Sequence, residues 1–346
     1  MLTIDVEDWF QVENFKPWIP FSTWDQCELR VERNVHRILD LFDSIDLHPQ
    51  PFNDEYSPIP STHKPTTINP TNPTNPTNSI NSTNPTNSIY STNPKATFFI
   101  LGWIAERLPH LVREIKKRGH EVASHGYNHE LCDQIPHNDL KNDLLKSKKL
   151  LEDIIGEPVY GYRAPNFSIN EDILKIIKAC GYLYDSSYNS FSLNDRYGKV
   201  DLSKYKNIGI ATKLSENFYE LPISNLNFNY PFSFQLSAMS SGQNDKKRFV
   251  LPLGGGGYFR LMPFHVFKYG VKSILNKGRD YLFYMHPWEI DPEQPRVREA
   301  SKRYKFRHYI NLDKTHSKLT RLIESFNQCR FINCKQYLEK RDLNGD

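Results

Sequence analysis

Short apolar runs alternate with helical patterns along most of this chain. Leu2 to Val6 and Ala96 to Leu101 have the composition of buried strands, whereas Glu32 to Ile45 carries apolar side chains at helical spacing. Further strands are predicted at Glu121–Ser124, Tyr160–Arg163, Tyr182–Asp185, Glu220–Leu221 and Asp280–Met285, and further helices at Ala105–Arg118, Asp139–Ile155 and Asn170–Cys180. This order predicts an α/β fold in which a parallel sheet, covered by helices, closes into a barrel.

The composition changes abruptly between about Asn53 and Pro94. This segment consists mostly of Pro, Asn, Thr and Ser, and the triplet Asn-Pro-Thr begins at positions 69, 72, 75 and 84. A segment with so few apolar residues cannot offset the entropy lost on ordering, so we expect residues 53–94 to be a disordered insert. The predicted organisation is a barrel formed by residues 1–52 and 95–292, interrupted by the insert and followed by a helical extension over residues 293–346.

Charge and hydropathy exclude some classes of partner. The chain has 44 Lys and Arg against 40 Asp and Glu, and these charges are intermixed, which argues against a nucleic-acid-binding surface. We find no signal peptide and no apolar stretch approaching 18 residues, so we expect a cytoplasmic protein that binds at most peripherally to membranes. The sequence does not indicate an oligomeric state.

The run from His125 to His129 places two histidines in an H-x-x-x-H spacing. An acidic group, Asp5, Glu7 and Asp8, stands at the end of the first predicted strand. Two imidazoles and one carboxylate are a typical three-ligand set for a catalytic metal, because they leave a coordination position open for water. Two surface-loop histidines are the more common explanation of such a pair taken alone, and the acids also fit a helix N-cap or a solvated turn.

Other polar residues also stand at or just after predicted strand ends. Arg163 precedes Ala164-Pro165, Asp185 ends a strand, and His286 is followed by Pro287 and Trp288. In parallel barrels the carboxyl ends of the strands form the catalytic face, so these residues are predicted to meet Asp5 and His125 there. Taken singly, Arg163 also fits a surface cation, Asp185 a turn residue, and His286 a core histidine bonded to a backbone carbonyl.

The ordered set of motifs resembles the NodB-homology polysaccharide deacetylases, carbohydrate esterase family four. The corresponding phrases are Thr3-Ile4-Asp5-Val6-Glu7, His125 to His129, Arg163-Ala164-Pro165, the Tyr184 to Ser187 region and Leu282 to His286. Fuller phrases, Asp5 to Gln11, Ala96 to Trp103, Gly256 to Arg260 and His286 to Asp291, resemble the subgroup associated with exopolysaccharide and exosortase gene clusters, which has its own C-terminal extension. The resemblance implies a distorted (β/α) barrel of the polysaccharide deacetylase type.

The same resemblance implies roles for individual residues. Asp5 is expected to act as general base and His286 as general acid, Arg163 to orient Asp5, and Asp185 to tune His286. A backbone N–H near Asn166 is expected to stabilise the oxyanion, and Trp288 to contact substrate. Zn²⁺ or another divalent metal such as Co²⁺ is expected on His125, His129 and one acid. Val6 replaces the usual second aspartate, and alternation along the strand favours Glu7 over Asp8 as that acid.

The expected activity is metal-dependent removal of N-acetyl groups from the amino sugars of a polysaccharide or its lipid-linked precursor, with release of acetate. Proteins of exopolysaccharide synthesis are the expected macromolecular partners. One alternative is a metal-free hydrolase of cyclic amides on the same barrel, because a fold alone does not fix the chemistry. Another is an inactive glycan-binding protein that retains the cleft.

Overall fold

A computed structural model describes residues 1–49, 92–191, 200–229 and 248–343. The strands are β1 Leu2–Val6, β2 Ala96–Ile100, β3 Glu121–Ser124, β4 Gly161–Tyr162, β5 Tyr184–Asp185, β6 Lys206–Ile208, β7 Ala211–Ser215, β8 Phe218–Glu220, β9 Asn225–Asn229, β10 Arg248–Pro252 and β11 Phe283–Met285. The helices are α1 Val31–Asp43, α2 Gly102–Arg107, α3 Pro109–Lys117, α4 His137–Ile155, α5 Glu171–Ala179, α6 Gly256–Leu261, α7 Phe264–Leu275, α8 Lys302–Tyr309, α9 Leu312–Glu324 and α10 Cys334–Leu343. Short 3₁₀ turns include Glu13–Phe15, Phe21–Gln26, Pro165–Phe167 and Pro287–Ile290.

One curled sheet organises the described part of the chain. Its strand order is β11-β1-β2-β3-β4-β5-β8-β7-β6, and every pair from β11 to β8 is parallel. Hydrophobic side chains, including those of Ile4, Phe98 and Met285, are buried along these strands. The predicted α/β barrel is confirmed in its distorted form, as a half-barrel whose two end strands are not joined to each other in the described residues. The parallel strands bring their carboxyl ends to one edge.

The helix predicted over Ala105–Arg118 is two helices. The chain turns at Leu108 between α2 and α3, and Pro109 occupies the first position of α3. Proline has no backbone N–H to continue the preceding helix and disfavours helical geometry in the residue before it, so a helix end at this point is expected. The prediction of one continuous helix was therefore wrong for a local reason.

Most of the predicted disordered insert lies outside the described residues, which omit positions 50–91. Its last residues, Thr92 to Pro94, are described: Thr92 forms an antiparallel bridge with Leu47, and the side-chain amide of Asn93 donates to the carbonyl of Asp43 at 2.6 Å. The described segments on either side of positions 50–91 therefore lie next to each other beyond the end of α1.

The C-terminal helices contact opposite ends of the sheet. Residues 307 and 308 of α8 line the cleft at the carboxyl edge, whereas the amide of Cys334, the first residue of α10, donates to Thr97 Oγ1 at 2.8 Å near the start of β2. Among the described residues, no helix is both long enough and apolar enough to cross a membrane.

Candidate active site

Three buried side chains converge just beyond β1 and β3. Glu7 Oε1 lies 2.8 Å from Nε2 of His125 and 2.9 Å from Nε2 of His129. The potential ligand atoms of the three residues all lie within 4.8 Å of one another, and the three residues are buried. Two imidazole nitrogens and one carboxylate oxygen are the donor set of a catalytic zinc site.

The hydrogen bonding of His125 fits a metal ligand. Its Nδ1 lies 2.8 Å from the carbonyl oxygen of Arg163, which can only accept, so Nδ1 carries the proton. In the neutral ring the lone pair of Nε2 then faces the Glu7 carboxylate, an arrangement that requires either a second proton or a cation between the two groups. A backbone carbonyl that fixes the opposite ring nitrogen in this way is the usual support of a metal-bound histidine.

Electrostatics around Glu7 favour its charged form. Burial by itself would raise the pKa of the Glu7 carboxyl, but the charges of His129 and His286 and the two histidine hydrogen bonds hold it well below its ordinary value. The carboxylate in turn raises the pKa of His129, against the effect of burial. Glu7 is therefore an anion at neutral pH, as a metal ligand must be.

Asp8 points away from this cluster. Its Oδ2 accepts from the backbone N–H groups of Arg30 at 2.6 Å and Val31 at 2.8 Å, and its Oδ1 accepts from the N–H of Trp9. Asp8 therefore satisfies amides at the start of α1, which lack partners within the helix. Of the two acids considered as the metal ligand, Glu7 lies beside both histidines and Asp8 acts as a helix cap from a neighbouring segment.

Asp5 and Arg163 form a fully buried ion pair. Arg163 Nη1 donates to Asp5 Oδ1 at 2.6 Å and to Thr3 Oγ1 at 2.8 Å. The remaining guanidinium nitrogens donate to the carbonyl and the hydroxyl of Ser186, both at 2.8 Å, and the ring of Phe99 lies 4.1 Å from the guanidinium carbon. The contact with Asp5 uses one nitrogen, not the two of a bidentate pair. Arg163 is thereby fixed from four sides, and it fixes the orientation of the Asp5 carboxylate.

His286 lies across the cleft, with its Nε2 3.8 Å from Glu7 Oε1. Its Nδ1 and its backbone N–H both donate to Glu289 Oε1, at 2.9 and 3.0 Å. Burial would lower the pKa of His286, but the negative charges of Glu7 and Glu289 outweigh it and raise that pKa to about 9. The Nε2–H therefore faces the cleft while Glu289 holds the opposite side of the ring.

The contacts of Asp185, the residue expected to tune His286, are with other groups, and the expected role stays a prediction. Asp185 accepts hydrogen bonds from the backbone amide and the hydroxyl of Ser187, at 3.1 and 2.8 Å. It lies opposite Glu220 of the neighbouring parallel strand β8. Burial raises the pKa of both carboxyls, and the repulsion of Asp185 raises that of Glu220 further. Residue Glu289, three positions after His286, contacts the ring instead.

Glu289 is itself held by Arg260, the last residue of a phrase that the resemblance included without assigning it a role. Arg260 Nε donates to Glu289 Oε2 at 2.7 Å, and other nitrogens of the same guanidinium donate to the carbonyls of Arg307, His308 and Ile310. A side chain at Gly256 would collide with the Glu289 carboxylate, which accounts for one glycine of the four-glycine run. The H-x-x-E spacing of His286 and Glu289 was the local sequence signal that could have identified Glu289 as the partner of His286.

Asn166 and Trp288 both line the cleft. Asn166 adopts a left-handed conformation (φ 52°) in the 3₁₀ turn after β4, and its side-chain nitrogen is buried without a hydrogen-bond partner in the described structure. Trp288 stacks between His286, at 5.2 Å, and His308, at 4.1 Å. His308 is a contribution of α8 that the sequence did not predict. Burial lowers its pKa well below the ordinary value, so it is neutral at neutral pH.

Comparisons with known proteins agree with this geometry. Residues 83–184 match the family model described as polysaccharide deacetylase, and residues 243–339 match one described as a domain of unknown function (DUF3473). A peptidoglycan-N-acetylglucosamine deacetylase of Bacillus cereus is 38% identical over 88 residues, which are 25% of this chain and 41% of that protein. A peptidoglycan deacetylase of Helicobacter pylori is 31% identical over 115 residues, 31% of this chain and 39% of that protein. The chain thus spans less than half the length of either relative.

A crystal structure of a Mycobacterium smegmatis protein, assigned to the polysaccharide deacetylases, matches with a TM-score of 0.52. It is 17% identical, and the match covers 99% of this chain and 90% of that one, so it shows the shared fold. The fold is therefore that of the polysaccharide deacetylases. The sequence match to the polysaccharide deacetylase model is confined to residues 83–184, and residues 243–339 match the DUF3473 model.

Proposed function

We propose that this protein is a metal-dependent hydrolase that removes N-acetyl groups from amino sugars of a glycan and releases acetate. The observation that carries the proposal is the position of Glu7 Oε1, 2.8 and 2.9 Å from the Nε2 atoms of two buried histidines. The named activities of the Bacillus cereus and Helicobacter pylori relatives support the choice of acetamido sugars as substrates.

Glu7, His125 and His129 are the residues that would hold the metal. Their nitrogen and oxygen donors fit Zn²⁺, and Co²⁺ accepts the same set. When bound, such a cation lowers the pKa of a water molecule and polarises the acetamide carbonyl.

Asp5 is the proposed general base. Its carboxylate lines the cleft together with Glu7 and is oriented by Arg163 at 2.6 Å. In this position it takes a proton from the attacking water, which forms a bond to the carbonyl carbon. General-base catalysis by a positioned carboxylate contributes typically about 10²–10⁴-fold to a rate.

His286 is the proposed general acid, with Glu289 as its positioning residue. The proton on Nε2 faces the cleft, because the opposite ring nitrogen donates to Glu289. As the C–N bond breaks, that proton passes to the departing amine, which leaves acetate as the other product. A backbone N–H near Asn166, which lines the cleft, is the proposed donor to the developing oxyanion, and Trp288 forms an apolar wall that orients the His286 ring.

The substrate is proposed to be a glycan of an exopolysaccharide pathway, either the polymer or its lipid-linked precursor. The phrases around Asp5 and His286 that resemble the exopolysaccharide-associated subgroup favour this assignment, and proteins of that synthesis are the proposed partners. The activity assigned to the chain does not depend on this choice, because the chemistry requires only an N-acetyl group.

The proposal is tested by measuring acetate released from a panel of N-acetylglucosamine oligomers. Chelated protein is assayed alone and after addition of Zn²⁺ or Co²⁺, with Asp5→Asn as the inactive control. Release that requires metal and Asp5 is the expected result. Release by chelated protein would instead support a metal-free amide hydrolase, and binding of oligomers without any release would support a glycan-binding protein.

A further inference from the structure

The C-terminal part of the chain carries a dense group of cations beside the cleft. From Arg296 to Arg307, six of the twelve residues are Lys or Arg and Glu299 is the single acid, whereas the whole chain has 44 cations and 40 acids. Four of these six cations belong to α8. Positive charge is therefore concentrated on one short helix, in contrast to the nearly balanced charge of the chain as a whole.

The outer face of α8 consists of Lys302, Arg303, Phe306 and Arg307, all of which are exposed. None of the three cations forms an ion pair with another residue that the structure describes. Side chains three and four positions apart are neighbours on a helix, so Phe306 lies among these cations. The outer face of α8 is thus a basic surface with an aromatic ring within it.

Two features of these cations are unfavourable in an isolated helix. Lys302 and Arg303 occupy the first turn, where the helix dipole favours acids, and no acid is present there. Arg303 and Arg307 are like charges four positions apart, which repel each other. Negative charge brought from outside the chain would relieve both effects, so this face is complementary to an anionic partner.

Exposed aromatic rings favour a lipid surface as that partner. Phe306 is 62% exposed, and Trp18, 36% exposed, meets the ring of Tyr304 edge-on at 6.3 Å. At a membrane interface such rings enter at the level of the headgroups while Lys and Arg meet anionic lipids. A soluble polyanion would satisfy the cations equally well, but it would give no reason for an exposed phenylalanine between them.

The inner side of α8 fixes its position beside the cleft. Arg260 donates to the carbonyls of Arg307 and His308, at 3.1 and 2.7 Å, and the ring of His308 stacks on Trp288 at 4.1 Å. Arg307 and His308 also line the cleft. A helix of eight residues is about 12 Å long, so a surface docked on the outer face of α8 lies within about that distance of the cleft.

We propose that the outer face of α8, together with Trp18, docks on an anionic lipid bilayer. The cations contact lipid phosphates, and Phe306 enters the headgroup region. The inference goes beyond the proposed function, because it assigns the protein a place of action: the cleft is held at the membrane surface, where it reaches amino sugars close to the headgroups. The docking face contains none of the proposed metal ligands.

The test measures co-sedimentation of the full chain with vesicles of phosphatidylcholine alone or mixed with phosphatidylglycerol. The wild type binds the mixed vesicles and not the neutral ones, and added salt weakens binding because it screens the charges. Lys302→Gln combined with Arg303→Gln weakens binding about 30-fold, the factor typical of two basic side chains at an anionic surface. Phe306→Ser weakens it about tenfold, because its ring no longer leaves water.

Matched control variants lie on α4. Leu145 is 42% exposed there, and Lys141 and Lys149 are exposed as well. Lys141→Gln combined with Lys149→Gln removes the same charge, and Leu145→Ser removes an exposed apolar side chain; neither change affects binding to the mixed vesicles. All variants keep the wild-type melting temperature, because the altered side chains are exposed.

Heparin, a soluble polyanion, separates docking on lipid from attraction by charge alone. Phe306→Ser leaves heparin binding unchanged while it weakens vesicle binding. The proposal is overturned if the α8 variants bind the mixed vesicles as tightly as the wild type, if the wild type binds heparin but no vesicles, or if neutral vesicles bind equally well. Acetate release from soluble oligomers does not depend on Lys302, Arg303 or Phe306, so failure of the docking leaves the proposed function intact.

Discussion

Glu7 and Asp8 are adjacent acids to which the structure gives different surroundings, and a pair of substitutions separates their roles. Asp8 accepts hydrogen bonds from the backbone amides of Trp9, Arg30 and Val31. In Asp8→Ala these three buried donors lose their acceptor, at about 1 kcal/mol each at the low end of the usual range. Burial raises the pKa of Asp8 to about 6, which shows that burying this carboxylate has a free-energy cost. Removing the carboxylate removes that cost and offsets part of the destabilisation. We expect a net destabilisation of about 2 kcal/mol.

Such a loss corresponds to a fall in melting temperature of roughly 4–8 °C for a domain of this size class. Zinc affinity of Asp8→Ala stays at the wild-type level, because its carboxylate does not face the histidines. Glu7→Gln removes a direct ligand. Mutating a residue that hydrogen-bonds to a metal ligand typically lowers metal affinity about 10–100-fold. Because Glu7→Gln changes a ligand itself, we expect its zinc affinity to fall by at least that factor.

Both quantities are measured on chelated protein. Melting is followed by circular dichroism without metal, and zinc affinity is followed by competition with a chromophoric chelator. Each variant serves as the control for the other. The assignment is refuted if Asp8→Ala abolishes zinc binding while Glu7→Gln retains it.

Three further outcomes are expected. Asp5→Asn keeps its zinc and loses turnover about 10²–10⁴-fold, whereas Glu289→Gln keeps its zinc and loses about 10–100-fold, as measured by kcat at saturating oligomer. His120 is held neutral by burial with a pKa of about 3, so its contribution to folding stability is fully present above pH 6.5 and is lost by about 1.4 kcal/mol per pH unit as the pH falls from 6.5 to about 3. Urea midpoints against pH test this slope, which His120→Gln removes. Replacing residues 53–90 by a short Gly-Ser linker leaves activity unchanged and does not lower the melting temperature, because an antiparallel bridge joins the flanking chain.

The meeting of distant residues at one edge could be predicted from sequence because parallel topology determines it. Asp5, His125, Arg163 and His286 stand at or just after the ends of different strands, and the β-α-β-α order alone brings these strand ends together. The resemblance to a known family then ordered these residues into roles. Alternation along β1 was sufficient to favour Glu7 over Asp8.

The partner of His286 could not be predicted in the same way. Asp185 also ends a strand, but whether its side chain reaches His286 depends on the curl of the sheet and on the pairing with Glu220, which a sequence pattern does not contain. Glu289 reaches the His286 ring because the chain turns within the three residues that follow His286. Arg260 can hold Glu289 only because carbonyls of α8 fix the position of its guanidinium group. Contacts of this kind depend on packing between segments far apart in the chain.

The central claim is that one metal ion, held by Glu7, His125 and His129, is required for hydrolysis. The most direct measurement is a titration of chelated protein with Zn²⁺ in which bound metal and acetate release are recorded on the same samples. The account predicts that both rise together and reach a plateau at one equivalent of zinc per chain, and that His125→Ala shows neither rise. Full activity before any metal is bound, or zinc binding at one equivalent without acetate release from any N-acetylated oligomer, would contradict it.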